Sequence, residues 1–383
     1  MGPLSGIKII ELAGIGPAPF CAMLLSDLGA DIITIHRPSL VGVEPVEPVA
    51  VMTQGTLARG RRSMAIDLKK PDGIAVLLDM ISECDAMIEG FRPGVMERLG
   101  LAPETCLKRN PSFVYGRMTG WGQDGPYAMA AGHDINYLAL SGVLAHVGRR
   151  EERPVAPLNL VADFGGGGMM LAMGICAALL AARTSGEGQV VDAAMVDGSA
   201  ILMTMMYELM GRGRWDNRRE ANMNDGGAHF YGVYETSDGK YVSVAAMEPK
   251  FFEELLQRMD LDLTDFCGQW DKAKWPAAKQ RLADVFSTKT RQHWCDLLEG
   301  TDACFAPVLS MEEAIKHPHN VHRGTFTDVN GIMQPSPAPR FSRTTAEISR
   351  PAAKPGEHTD EVLLEFGLDA AQIMELRAGS VVA

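Results

Sequence analysis

Short apolar runs and longer periodic ones alternate along the first 120 residues, with glycine and proline between them. Ile7–Leu12 (IKIIEL) has the length and continuity of a buried strand. The turn AGIGPAP follows, and then Phe20–Leu28 (FCAMLLSDL) reads as a helix stopped by Gly29. Asp31–Ile35 (DIITI) is a second strand. Strand, helix, strand is the opening of a parallel sheet covered by helices on both faces. The alternation goes on with a helix at Asp72–Ile81 and short strands at Ala86–Glu89 and Pro111–Gly116. Residues 41–58, with several Val, Glu and Pro, break it as an irregular excursion.

A long apolar helix, Met169–Arg183, follows the DFGGGG of residues 163–168. GQVVDAAMVDG supplies one more strand, and ILMTMMYELM (201–210) a helix rich in methionine. Near residue 225 the grammar changes. HFYGVYETSDGKYVSVAAM is a β-hairpin whose tight turn is Asp238-Gly239, and helices fill about 250–316. The expected class is therefore α/β. Residues 1–200 are expected to form a large domain on a parallel sheet, 201–224 a linker helix, and 225–325 a smaller α+β domain. The proline-rich PSPAPR (335–340) starts a return, and 330–383 pack back on the large domain.

The bulk numbers narrow the chemistry. With 383 residues, 46% hydrophobic and 22% charged, the chain has the make-up of a soluble enzyme. A net charge of -12 argues against a nucleic-acid partner, but a local arginine cluster can still meet a small anion. Seven cysteines without a C-x-x-C read as free thiols, with neither disulfides nor a zinc site. The longest apolar run, 169–182, is too short to span a membrane. No signal peptide is apparent and the chain ends in Val-Val-Ala instead of a peroxisomal tripeptide, so the expected location is cytoplasmic.

Several stretches are candidates for chemistry. GIGPAP (14–19) lacks the third glycine of a dinucleotide fingerprint, and the second strand ends in His36-Arg37 with no acidic residue, so NAD is not expected. Arg37 either meets a sugar phosphate or is a surface residue before Pro38. Arg59, Arg61, Arg62, Lys69, Lys70, Arg92 and Arg98 lie near predicted strand ends; as a group they suggest a polyanionic ligand. HPHNVHR (His317, His319, His322) fits no zinc spacing and reads as a loop. Asp163 before four glycines reads as a helix N-cap, whose dipole would lower its pKa. The glycines would let a ligand approach, with free N–H groups for an oxyanion. Glu248 before Pro249 is either a charge at a helix start or a carboxylate that orients a histidine. His133 in GHDINY looks loop-borne, and spacing alone leaves it open between acid/base and structural roles.

GHDINY, PLNLVADFGGGG, GQVVDAAMVDG, DGGAHFY and AAMEPKFF together resemble the racemase branch of the class III CoA-transferase family. The resemblance runs from GIKIIELAGIGPAPFCAMLLSDLGADIITIHRP to GEHTDEVLLEFG. It implies a Rossmann-like large domain and a small domain joined by two linkers, with two chains interlocked as a homodimer. It also implies inversion of the carbon beside a CoA thioester, by removal and return of its proton. On this resemblance His133 and Asp163 are the two acid/base groups and Glu248 pairs with the histidine. Arg37, Ile66, Asp67, Leu68 and Lys69, with Gly132, Asp134, Ile135, Asn136 and Tyr137, match segments that hold the CoA thioester. No metal, flavin or pyridoxal is implied, CoA being part of the substrate. The 3′-phosphate and diphosphate of CoA would account for the arginines.

The chain also departs from that pattern. His229 stands where the family has proline, Met247 where it has isoleucine, and 41–58 is longer than the corresponding loop. Two rivals remain on sequence grounds. One is CoA transfer between carboxylic acids with Asp163 as nucleophile, for which a second proton carrier is unnecessary. The other is a non-catalytic CoA- or NADP-binding protein on the same sheet.

Overall fold

Strand β1 (Lys8–Leu12) leads through α1 (Pro17–Asp27) to β2 (Asp31–His36), and the two strands pair in parallel with Ile10 opposite Ile33. The computed structural model describes residues 1–44, 46, 51 and 55–383, so part of the 41–58 excursion lies outside the described residues. The chain divides into two compact units: 1–141, 157–203 and 326–383 form one, 142–156 and 204–325 the other.

The first unit continues with β3 (Arg62–Ala65), α2 (Pro71–Glu83), β4 (Ala86–Glu89), α3 (Pro103–Arg109) and β5 (Val114–Thr119). Then come α4 (Asp134–Leu140), a π-helix over Leu160–Met169, α5 (Met170–Ser185), β6 (Val190–Ala194) and α6 (Met195–Leu202). The six strands stand in the order β3-β2-β1-β4-β5-β6, all parallel. This is the doubly wound order, with its reversal between β1 and β4. Ile9 and Ile10 point to opposite faces and both are fully buried, which explains the unbroken apolar run of β1.

Two boundaries differ from the sequence pattern. Helix α1 begins a turn earlier than predicted, because Pro17 at its first position needs no N–H partner. The expected single helix 201–210 is broken at Met203, so α6 ends at Leu202 and α7 (Thr204–Gly211) starts afresh.

The second unit takes over at α7. Strands β7 (Tyr231–Glu235) and β8 (Tyr241–Ala245) form the expected hairpin, with Gly239 at φ 69° in the turn. Helices α8 (Pro249–Arg258), α9 (Trp275–Phe286) and α10 (Arg291–Leu298) follow, and β9 (Phe305–Val308) completes a three-stranded antiparallel sheet beside β8. Its core gathers Phe230, Phe252, Trp275, Phe286 and Trp294. His229 is 1% exposed within that core, its ring 5.1 Å from Phe252, and neither ring nitrogen has a hydrogen-bond partner among the described residues. Burial pushes its pKa down to about 4. The histidine-rich HPHNVHR is no loop: Pro318–Arg323 is a short helix, started by its proline, and His317 Nε2 lies 2.6 Å from Glu299.

The chain returns to the first unit as a hairpin of β10 (Phe326–Val329) and β11 (Ile332–Pro335), then α11 (Thr359–Glu365) and α12 (Ala370–Ala378). Val362, Leu363 and Ile373 join the core with Ile33, Ile35 and Met64, and Ile66 bridges to Val382.

Candidate functional site

The DFGGGG stretch folds in an unexpected way. Asp163 is not an N-cap; Asn159 holds that position, and Asp163 lies in the first turn of the π-helix Leu160–Met169. The wide i→i−5 turns run on into α5, giving one helical segment of 26 residues, Leu160–Ser185. That is longer than the apolar run suggested, and one face of it is packed against the rest of the first unit.

The glycines do that packing. A Cβ on Gly166 would lie 2.6 Å from the Ser199 nitrogen, and one on Gly168 2.7 Å from the Pro17 carbonyl. The run therefore lets α1 and α6 approach the π-helix backbone, and its N–H groups lie inside the helix. The expected ligand-facing backbone is corrected by this close contact.

What holds Asp163 is its neighbour in GHDINY. Asp134 is 8% exposed, and its Oδ2 accepts the N–H of Ala162 at 2.9 Å and of Asp163 at 2.8 Å. The Asp163 carboxylate is half-buried. One oxygen lies 3.4 Å from Asn159 Nδ2 and 3.4 Å from where Gly16 would carry a Cβ. Burial raises its pKa above the usual carboxylate range, the Asn159 amide opposes that, the Asp134 charge adds to it, and the His133 charge lowers it. The expected dipole-lowered value is thus reversed, because desolvation outweighs the helix end.

His133 occupies the N-cap of α4 and is exposed. The Asn136 side-chain carbonyl accepts the His133 N–H at 3.0 Å, and the Asn136 N–H donates to the His133 carbonyl at 2.8 Å. That is the backbone half of a capping box, visible in the spacing of the two residues. Tyr137 fills a gap that only glycine leaves: a Cβ on Gly120 would be 2.1 Å from its ring. Its hydroxyl donates to the Gly132 carbonyl, and Trp121 meets the ring edge-on at 4.7 Å. Ile135, 44% exposed, turns outward. So within Gly132–Tyr137 the structure spends Asp134, Asn136 and Tyr137 on posture, and leaves the His133 side chain exposed, with its charge felt at Asp163.

A second feature of this unit is a cleft of about 950 Å³ over the carboxyl ends of β1 to β4. Arg37, Ile66, Asp67, Leu68 and Lys69 all line it, whereas Gly132–Tyr137 do not. Gly14 and Ile15 line it as well, and Gly16 abuts Asp163, so the cleft ends close to the acid. The start of α1 is a poor phosphate seat, because Pro17 and Pro19 remove two of its first three N–H groups.

The basic group divides. Arg59 bonds both oxygens of Asp27, Arg61 lies 2.5 Å from Glu11, and Arg62 pairs with Asp31, Glu361 and Glu365. All three are about 5% exposed or less. Arg61 and Arg62 border the cleft as well, but the expectation that the three meet an outside anion is corrected: their charges are paired with internal carboxylates. Arg37, Lys69 and Arg92 line the cleft, are exposed, and have no ion-pair partner among the described residues. Glu248 belongs to the second unit, exposed at the N-cap of α8, its carbonyl accepting the N–H of Phe251 and of Phe252 at 3.0 Å each.

Comparison with known proteins gives this arrangement a lineage. The chain is 45% identical to the mouse protein named alpha-methylacyl-CoA racemase, over 99% of this chain and 97% of that one. It is 44% identical to the human protein of the same name, over the same shares. Among solved structures, a CAIB/BAIF family protein from Brucella suis superposes with a TM-score of 0.79 at 24% identity, covering 95% of this chain and 99% of its own; this likeness concerns the fold. The sequence profile of CoA-transferase family III matches residues 4–359. With the doubly wound sheet and the glycine-packed helix that carries Asp163, this chain belongs to CoA-transferase family III.

Proposed function

We propose that this protein is an isomerase that interconverts the two epimers of 2-methylacyl-CoA thioesters. His133 takes the α-proton on one face, Asp163 returns one on the other, and the reverse direction exchanges their roles. The observation that carries the reading is the pairing itself: a carboxyl kept above its usual pKa by burial, electrostatically coupled to an exposed imidazole. Inverting a carbon through a planar enolate needs one proton acceptor and one donor on opposite faces. A carboxylic acid is a donor only if it holds its proton near neutrality, which burial favours. The names of the relatives at 44% and 45% identity supply the substrate class.

The CoA portion is assigned to the cleft, where Arg37, Lys69 and Arg92 offer charge to its phosphates. For Glu248, in the second unit, the role of orienting carboxylate rests on the family resemblance alone. We also infer a homodimer. Met169, Met173 and Leu180, spaced along one side of the 26-residue helical segment, are 55%, 61% and 70% exposed, and a second copy would cover that stripe. Light scattering that gives the mass of one chain at micromolar concentration overturns the dimer.

The test of the reaction is isotope exchange. One epimer of a 2-methylacyl-CoA, incubated with the protein in deuterated water, should acquire deuterium at the α-carbon and yield the other epimer without a second acid. Absence of exchange, together with CoA transfer to an added carboxylate, would make the protein a transferase with Asp163 as nucleophile.

A further inference from the structure

Strand β3 is the outer strand of the six-stranded sheet, so one row of its backbone groups has no neighbouring strand. The return segment supplies partners for that row. The Ser63 N–H lies 3.3 Å from His358 Nδ1, and the Ser63 carbonyl accepts the His358 N–H at 2.8 Å. The Ala65 N–H donates to the Thr359 hydroxyl at 3.1 Å, and the Ala65 carbonyl accepts the Ala383 N–H at 3.3 Å. The next outward group, the Asp67 N–H, donates to the Val381 carbonyl at 2.8 Å.

Covering an open edge accounts for the bonds on β3 itself, but the last one lies beyond it. Strand β3 ends at Ala65, and the final bond from β2 to its continuation joins the Ile66 N–H to the His36 carbonyl at 2.9 Å. Asp67 is past that bond, and α2 does not begin until Pro71. Residues 67–70 are therefore a turn outside both sheet and helix, and Asp67, Leu68 and Lys69 line the cleft. Within the turn, the Lys70 N–H donates to the Asp67 carbonyl at 3.1 Å and the Lys69 N–H to Asp67 Oδ1 at 3.0 Å. Asp67 thus sets the posture of the residues after it. Among the described residues, two hydrogen bonds tie the turn to a remote segment: Asp67 to Val381, and Lys70 Nζ to the Gly379 carbonyl. Both end on the stretch after α12.

That stretch is itself fixed. Ser380 takes φ 51°, and the Val381 N–H turns back to the Leu376 carbonyl at 2.8 Å, which closes the end of α12. Val381 and Val382 are each 3% exposed in the core that holds Ile66, and Val382 forms an antiparallel bridge with Ile66. None of residues 379–383 lines the cleft, so they act on it through the Asp67 backbone. A turn that is already ordered loses less entropy when a ligand binds against it.

We propose that residues 381–383 are a clasp that positions the cleft-lining turn 67–70, and with it the Lys69 cation, for the ligand. Val382, seated in the core beneath the turn, is its positioning residue. The proposal rests on the CoA-thioester reading for the identity of that ligand, and it concerns binding, not proton transfer.

The test uses the full chain, with calorimetry against CoA, turnover of a 2-methylacyl-CoA and hydrogen exchange at the Asp67 amide. Val382→Asp puts a carboxylate in an apolar seat closed to water, so the clasp leaves it. The Kd for CoA and the KM for the thioester should rise about tenfold with kcat within about threefold, and the Asp67 amide should exchange about tenfold faster. Val382→Ala, which adds no charge, should show the same split at about threefold and serves if the aspartate variant does not fold. Val382→Ile should keep wild-type KM. Ile373→Ala thins the same core from α12 without a bond to residues 65–70; it should lower the melting temperature and leave KM and Asp67 exchange as in the wild type. An unchanged KM in both Val382→Asp and Val382→Ala overturns the proposal, as does an equal rise in KM from Ile373→Ala, which would mean a merely structural role. These failures sink the clasp alone, whereas a wild-type protein that does not bind CoA brings down the CoA-thioester reading with it.

Discussion

Two groups of cations around one sheet have opposite fates. Arg59, Arg61 and Arg62 precede or open β3, and every one is buried against carboxylates. Arg37, Lys69 and Arg92 come one to four residues after β2, β3 and β4 end, and they remain exposed and unpaired among the described residues. A cation on or before a strand is enclosed by neighbouring layers and must be neutralised there. A cation just past the carboxyl end of a strand faces the crevice where such folds bind ligands. The residue type is the same, and position relative to the strand end decides whether it serves stability or recognition. The Asp163 region shows a third arrangement, in which a carboxyl is enclosed only halfway and without a cation.

The sharpest test of that division is at the half-enclosed carboxyl. His133→Ala or Asp163→Asn should lower turnover of a 2-methylacyl-CoA by about 10²–10⁴-fold, with CoA affinity in calorimetry changed little. If affinity falls as much as turnover, the two regions do not divide the work as argued. Arg61→Ala should leave the Glu11 charge buried without its partner and cost about 3–5 kcal/mol in urea denaturation. A variant as stable as the wild type would show that the Glu11–Arg61 pair is not structural.

The second unit offers a buried polar group with no hydrogen-bond partner among the described residues. His229 has a folded-state pKa of about 4, below its unfolded value, so the unfolded chain takes up the proton first as pH falls. Stability should therefore decline between about pH 6.5 and pH 4, by roughly 2 kcal/mol from this group between pH 7 and pH 5. His229→Met should flatten that slope relative to the wild type in parallel urea titrations; identical slopes would exclude His229 as the cause. The smallest effect belongs to the rim. Arg37→Ala should weaken CoA binding about tenfold and leave the melting temperature within a degree or two. Loss of stability there would erase the contrast with Arg61.

Much of this was legible in the order of residues. The β1–α1–β2 opening and the Asp238-Gly239 hairpin follow from local pattern, because apolar runs and turn residues are read over a few positions. The motifs GHDINY and ADFGGGG single out His133 and Asp163 as the proposed proton carriers, without their geometry. What failed was long-range. Asp163 reads as a cap in the sequence because a π-helix carries no local signature distinct from an α-helix start. The glycines look like open backbone in the sequence because their partners, Ser199, Met195 and Pro17, are far away along the chain. Arg59, Arg61 and Arg62 resemble a ligand site in the sequence because their partners Asp27, Glu11 and Glu365 lie 32, 50 and 303 residues away. Nothing in GHDINY announced that Asp134 reaches backbone 28 residues on.

That last contact acts as a calliper. Asp134 follows His133 directly and grips the peptide N–H of Asp163, so one jaw carries the imidazole and the other the carboxyl. The opening of the jaws is then set by the protein alone. In the proposed reaction, acyl chains of different bulk can settle where they fit without respacing the two proton carriers, and tolerance for varied substrates need not blunt the chemistry at the single carbon between them.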